Sequence, residues 1–214
     1  FNTANSDSSH NLVEIKNIKM VNTGLLNTYC GAIVSSYELG ETELSRNMHI
    51  SNCHVYNLLS NNVVNYTGGI IGAYTKGKVI INNCNVYGTT SKYGGGIMGG
   101  YNFGDININN STFTGSLHYS SGGIAGGYCG YSGLTSHSDN NTKIKINSCK
   151  IVLNYMYEWA GGIIGQYCGS GEIADSYGSM NNYRIIEVLN CYVKVSNYYN
   201  TSSGGIIGYF ALLH

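Results

Sequence analysis

The 11 carboxylates of this 214-residue chain are the natural first place to look for chemistry. Glycoside hydrolysis needs a facing pair of Asp or Glu, and a Ca²⁺-assisted lyase needs a cluster of them. They are Asp7, Asp105, Asp139, Asp175, Glu14, Glu38, Glu41, Glu43, Glu158, Glu172 and Glu187, and only Glu38, Glu41 and Glu43 fall close together. That grouping suits a solvated loop and names no catalytic residue. Seven Cys invite a metal, yet no Cys-x-x-Cys pair occurs, so neither a metal nor a cofactor site is expected. The six His (10, 49, 54, 118, 137 and 214) recur at no common position. Trp159 stands two residues before a Gly-Gly pair, which suits corner packing better than sugar stacking.

Composition narrows the classes further. Charge is balanced, with 11 basic residues against 11 acidic and no run of either sign, so neither nucleic acid nor an anionic membrane is an expected partner. No apolar run approaches the roughly 20 residues of a membrane span. With 30 Gly, 20 Tyr, no Pro and 10% charged residues, the chain is unlike an average helical protein and suits stacked β-structure.

The elements that must position any site are repeats. The phrase reads "GAIVSSY" at Gly31, "GGIIGAY" at Gly68, "GGIMGGY" at Gly95, "GGIAGGY" at Gly122, "GGIIGQY" at Gly161 and "GGIIGYF" at Gly204. Its third position is Ile33, Ile70, Ile97, Ile124, Ile163 or Ile206, and its seventh is Tyr37, Tyr74, Tyr101, Tyr128, Tyr167 or Phe210. A second phrase follows each of the first five: "ISNCHV", "INNCNV", "INNSTF", "INSCKI" and "VLNCYV". The spacings Gly68 to Gly95 and Gly95 to Gly122 are both 27 residues, too short for a propeller blade and too rich in Gly, Asn and β-branched residues for a helical solenoid. The expected fold is all-β: a parallel β-helix of five to six irregular coils with three short strands per coil. Residues 1–12 form a polar N-terminal segment, and 13–214 form a single β-solenoid ending in a half coil. A phosphate-cradling role for the glycines is set aside, because a phosphate loop occurs once, between a strand and a helix. Glycine pairs at a corner are expected to supply positive φ, with the third glycine making room for bulk.

In "INNCNV" the apolar residues Ile81, Cys84 and Val86 change parity, so a bend must separate them if all three face inward. Asn tolerates left-handed backbone angles, and Asn52, Asn83, Asn110 and Asn190 are expected to form that bend and an amide ladder. Cys53, Cys84, Cys149 and Cys191 follow it, with Ser111 and Ile18 in the same position elsewhere, which makes them small interior fillers rather than ligands. Cys129 and Cys168 directly follow the aromatic ladder in neighbouring coils, a plausible disulfide, although an odd total leaves at least one free thiol. Five Asn-x-Ser/Thr triplets match chance; Asn140, Asn65 and Asn200 are the candidate glycosylation sites, and Asn110 is a poor one. Coil length varies only around Glu38–His49, Gly130–Lys145 and Gly169–Glu187, so one edge carries the insertions and is the first candidate for binding. Val34, Ile71, Met98, Ile164 and Ile207, beside the Ile ladder, are expected either to be exposed for lateral packing or to face a second core layer.

These phrases resemble the GLUG-motif and related glycine-rich repeats of bacterial and protist surface proteins, over roughly Val13 to Phe210. The resemblance implies a secreted, adhesin-like or filamentous β-solenoid at the cell surface. The chain closes on "GGIIGYFALLH" without a polar cap, while "NLVEIKNIKMVNTGLLNTYC" reads as the complementary half: Ile15, Asn17, Ile18 and Met20 match Ile81, Asn83, Cys84 and Val86. Either the chain is a window from a longer array or copies associate head to tail by strand pairing, building a surface filament. A host surface or glycan is a further expected partner. The alternative is a β-helix that binds or cleaves carbohydrate at the long-loop edge.

Overall fold

In the computed structural model, residues 12–35, 47–59, 64–75, 77–130, 142–169, 184–199 and 202–209 are described. Among them are twelve strands and no helix. Odd-numbered strands make the first sheet: β1 (Leu12–Lys16), β3 (Asn47–Ser51), β5 (Lys78–Asn82), β7 (Asp105–Asn109), β9 (Thr142–Asn147) and β11 (Arg184–Leu189). Even-numbered strands make the second: β2 (Lys19–Val21), β4 (His54–Leu58), β6 (Asn85–Thr89), β8 (Thr112–Leu117), β10 (Lys150–Met156) and β12 (Tyr192–Tyr198). Every pairing is parallel and joins neighbouring turns. The chain is therefore a parallel β-helix.

The third wall is built from the glycine phrase. Gly31, Gly68, Gly95, Gly122, Gly161 and Gly204 stack through single parallel bridges, as do Val34, Ile71, Met98, Ala125, Ile164 and Ile207, with two bend residues between each pair of bridges. Because this phrase turns instead of running flat, its third and fourth apolar residues both point inward: Ile70 and Ile71 are fully buried, as are Ile97 and Met98 to within 1%. The lateral exposure considered for Ile71, Met98 and Ile164 is thereby corrected; they belong to the core.

Counted from β1, the described residues make six turns, each a first-sheet strand, a second-sheet strand and a glycine phrase. The expected terminal half coil is the closing phrase of the sixth turn. Registry fixes the core columns. Ile15, Ile50, Ile81, Ile108, Ile146 and Val188 stack on one wall, and Met20, Val55, Val86, Phe113, Ile151 and Val193 on the next. Each fully buried member contributes about 1.5–3 kcal/mol of hydrophobic stabilisation before chain entropy is counted.

The glycine pairs have a reason other than the one expected. No left-handed φ falls on them; those glycines are Gly24, Gly77, Gly88, Gly104, Gly115, Gly130 and Gly169. What the pair permits is close approach. A β-carbon on Gly69 would meet Val86 Cγ1 at 2.6 Å, and one on Gly95 would meet the Gly126 nitrogen at 2.6 Å. Main chain and core side chains fill that space, so a methyl group has nowhere to go.

Candidate functional site

The bend between the two sheets is built as the parity argument requires. Asn17, Asn52, Asn83, Asn110, Ser148 and Asn190 all have φ between 49° and 59°. The N–H groups of Asn52, Asn83 and Asn110 each donate to a carbonyl of the next turn at 3.1 Å. The amide ladder is distributed differently from expectation. Asn52 Nδ2 donates to Asn17 Oδ1 (3.3 Å), but between turns three and four the bond is Asn109 to Asn82 (3.0 Å), one residue before the bend, and Asn190 crosses to Asn147 (3.1 Å). Asn83 and Asn110 serve the bend through their backbone, and the neighbouring Asn column carries the side-chain bond. In each case the later turn donates to the earlier one.

Cys53, Cys84, Cys149 and Cys191 occupy the interior position after the bend. Each thiol donates to the carbonyl two residues before it, at 3.4 Å from Cys53, Cys84 and Cys149 and 3.2 Å from Cys191. Ser111 makes the same bond at 2.9 Å. Cys and Ser interchange here because both place a short donor under one carbonyl. Burial pushes the Cys84 and Cys149 thiols up to about 12, so both stay protonated and un-nucleophilic at neutral pH.

All seven cysteines are free thiols, which corrects the disulfide expected between Cys129 and Cys168. These two, with Thr75 and Asn102, form a buried column directly after the aromatic ladder. Three of its members cap carbonyls of the third glycines: Cys129 Sγ donates to Gly99 O (3.3 Å), Cys168 Sγ to Gly126 O (2.8 Å), and Asn102 Nδ2 to both Gly72 O (3.1 Å) and Gly99 O (2.9 Å). Burial raises the Cys168 thiol well above its ordinary range.

Tyrosines form two interleaved stacks. Tyr74, Tyr101, Tyr128 and Tyr167 stack at centroid separations of 4.7–5.0 Å, and Tyr29, Tyr66 and Tyr93 at 5.1–5.4 Å. The stacks meet edge-on or tilted, as in Tyr66 with Tyr101 (4.9 Å, 51°) and Tyr93 with Tyr128 (5.3 Å, 62°). All seven have φ of 53–69°, a conformation costly for a bulky residue and here offset by ring contacts. The second stack escaped the sequence reading, although its signal was present: Tyr29, Tyr66, Tyr93, Ser120 and Trp159 each lie two residues before a glycine phrase. Trp159 thus belongs to a corner column, with φ of 61°.

Of the Ile ladder, Ile70, Ile97, Ile124 and Ile163 are fully buried, Ile33 is half-buried and Ile206, on the last turn, is 44% exposed. Asn65 is half-buried and bridges Lys92 of the next turn. Tyr37, Asn140 and Asn200, and the loop carboxylates Glu38, Glu41 and Glu43, lie outside the described residues.

On the outer walls, the strand carboxylates Glu14, Asp105 and Glu187 all lie on the first sheet, on turns one, four and six. Glu14 pairs with Lys16 (3.0 Å) and His49 (3.7 Å), and its carboxyl is held below the ordinary range chiefly by Lys16. Lys145 pairs with Glu187 (3.6 Å). The outer face of the second sheet carries Tyr56 and Tyr87 stacked at 5.2 Å and 4°, with the Lys19 ammonium 5.4 Å from the Tyr56 ring. Stacking covers the facing side of each of these two rings. Compared with family models, curated proteins and solved structures, the chain gave no match.

Proposed function

We propose that this chain is a structural module of an extracellular or cell-surface filament or adhesin, a rigid β-solenoid rod that extends by head-to-tail stacking of turns. The observation that supports this reading is that each turn pairs with the next in the same parallel register, with inward columns that match from turn to turn and amide bonds that run in one direction. β1 and β2 at one end, and β11 and β12 at the other, have a strand partner on one side only among the described residues. The last turn leaves its core residues uncovered. Ile206 is 44% exposed where Ile163 is fully buried, and Ile163, Ile164, Ile186, Val188, Cys191 and Ile206 contribute to the lining of an open hollow of about 450 Å³.

The first turn is shaped to cover such a surface. In continued register Val13 and Ile15 follow Ile186 and Val188, Met20 follows Val193, and Ile33 follows Ile206. The polarity of the amides agrees as well, since later turns donate to earlier ones and Asn17 of a following turn would donate to Asn190. Parallel edges that match in register add strands by backbone pairing, and a heterologous contact of this kind propagates.

Negative-stain microscopy and sedimentation of the purified chain over a concentration series test the reading. Six turns span about 29 Å along the axis at 4.8 Å per turn. Rods that lengthen with concentration, and shorten when Met20→Asp places a charge in the contact, are expected. Particles of single-chain size at every concentration would overturn it.

A further inference from the structure

We infer that the outer face of the second sheet is a docking surface for an acidic polysaccharide whose charges are widely spaced. Charge is sorted between the two walls. The strands of the first sheet carry Glu14, Asp105 and Glu187 beside their cations; those of the second carry Lys19, Lys150 and Lys194 and no carboxylate at all. Lys16 and Lys145 are paired with carboxylates, and Lys78 and Lys143 flank Asp105 in register. Lys19, Lys150 and Lys194 are exposed and have no carboxylate partner among the described residues. A chain of zero net charge thus presents one wall that is cationic only.

The spacing of these groups selects the class of ligand. Lys19 stands on turn one and Lys150 on turn five, about 19 Å apart along the axis at 4.8 Å per turn. Between them lie hydrogen-bonding groups in straight rows. His54, Asn85 and Thr112 follow Lys19 in register, and Tyr56, Tyr87 and Thr114 run beside them. Asn85 Nδ2 bonds His54 Nδ1 at 3.1 Å. At the far end Lys150, Val152, Tyr192 and Lys194 line a shallow hollow of about 530 Å³, with the two ammonium groups on adjoining turns.

A nucleic acid strand is poorly served by this wall, since one ammonium group on turn one and two on turns five and six are too sparse to track a phosphate backbone. An anionic bilayer calls for a dense basic cluster, whereas three ammonium groups here spread over six turns. A linear polymer rich in hydroxyls, with a carboxylate every second sugar, matches straight rows of amide and hydroxyl groups with cations at the ends. The inference does not depend on stacking of copies, because one chain carries the whole wall.

The test is binding of the full chain to immobilised hyaluronan, with dextran as the neutral polymer and oligodeoxythymidylate as the competing polyanion. Retention on hyaluronan that weakens with salt, with none on dextran, is expected. Lys150→Gln with Lys194→Gln is expected to weaken binding about tenfold or more, while Lys78→Gln with Lys143→Gln on the other wall leaves it unchanged. All four positions are exposed, so circular dichroism of each variant should match the parent. No retention on hyaluronan, equal retention on dextran, tighter binding to oligodeoxythymidylate, or equal losses from the two lysine pairs would each overturn the inference.

Discussion

Ser120 and Gln166 stand in the positions that Tyr93 and Gly127 hold one turn earlier, joined by the same backbone bond: Gln166 N donates to Ser120 O at 3.1 Å, as Gly127 N donates to Tyr93 O at 2.9 Å. A β-carbon on Gly127 would lie 3.1 Å from Tyr93 Cδ1, and one on Gly100 only 2.7 Å from Tyr66 Cδ1. At these two rungs the ring leaves little room for a β-carbon, and where the ring is replaced by Ser120 the long side chain of Gln166 is buried; Ala73 after Tyr29 and Tyr209 after Trp159, joined by the same bond, show that the corner adjusts elsewhere. Gly100→Ala should destabilise by about 1–3 kcal/mol and Gly127→Ala by less. Ser120→Tyr should be destabilising alone and partly rescued by Gln166→Gly, a coupling that denaturant unfolding of the double-mutant cycle measures.

Ser120 Oγ and Gln166 Oε1 are buried without a hydrogen-bond partner. Removing an unsatisfied buried hydroxyl costs nothing in lost bonds, so Ser120→Ala should be neutral or raise stability by up to about 1 kcal/mol. A thermal melt in which Ser120→Ala is clearly less stable than the parent would refute this.

At the bend, Ser148 is the one member of its column that is not Asn, with φ of 53°. Asn bears left-handed angles better than Ser, and a β-branched residue bears them worst. Ser148→Asn should therefore stabilise slightly, whereas Asn83→Val should cost about 1–2 kcal/mol or more. Unfolding midpoints ranked in any other order would separate the bend from its assumed cause.

The interior thiols predict behaviour at high pH. Cys84 and Cys149 titrate near 12 in the fold because burial disfavours the thiolate, against an ordinary value of 9.0. Above that ordinary value the unfolded chain releases protons that the native state keeps, so stability is intact below about pH 9 and falls as pH rises towards 12. Replacing both by Ser, which Ser111 shows to be compatible with the site, should flatten this part of the stability profile. Native-state alkylation at pH 8 should leave both thiols unlabelled.

His118 supplies the opposite sign. Burial, and then Lys92, lowers its pKa; its ring stacks on Tyr157 (5.4 Å, 13°), and its Nδ1 accepts from Tyr119 N at 2.9 Å. The fold favours the neutral ring, so this contribution is present above the ordinary value of 6.5 and is lost as pH falls through the depressed one. Between pH 7 and 5 the parent should lose more stability than His118→Gln, as read by the difference between their melting curves.

Much of the architecture could be read from the chain because each turn repeats the same decision. The parity change between Ile81 and Cys84 demanded a bend, and Asn83 could make one. The inward direction of Ile71 was ambiguous, because alternation assumes an extended strand and the glycine phrase turns. The role of Gly69 and Gly95 depends on what lies one turn away, which no local rule supplies. The separation of carboxylates from Lys150 and Lys194 was hidden for the same reason: in sequence they alternate, and only the register sends them to different walls.

Turn-to-turn pairing has a mechanical consequence. Since every strand joins only the turns before and after it, a pull along the axis loads the rungs in series, and the weakest rung yields while the rest hold. One turn of 27 residues, as between Gly68 and Gly95, would release roughly 90 Å of slack when drawn straight. A tether made this way lengthens stepwise under tension, shedding load one turn at a time before any covalent bond is strained.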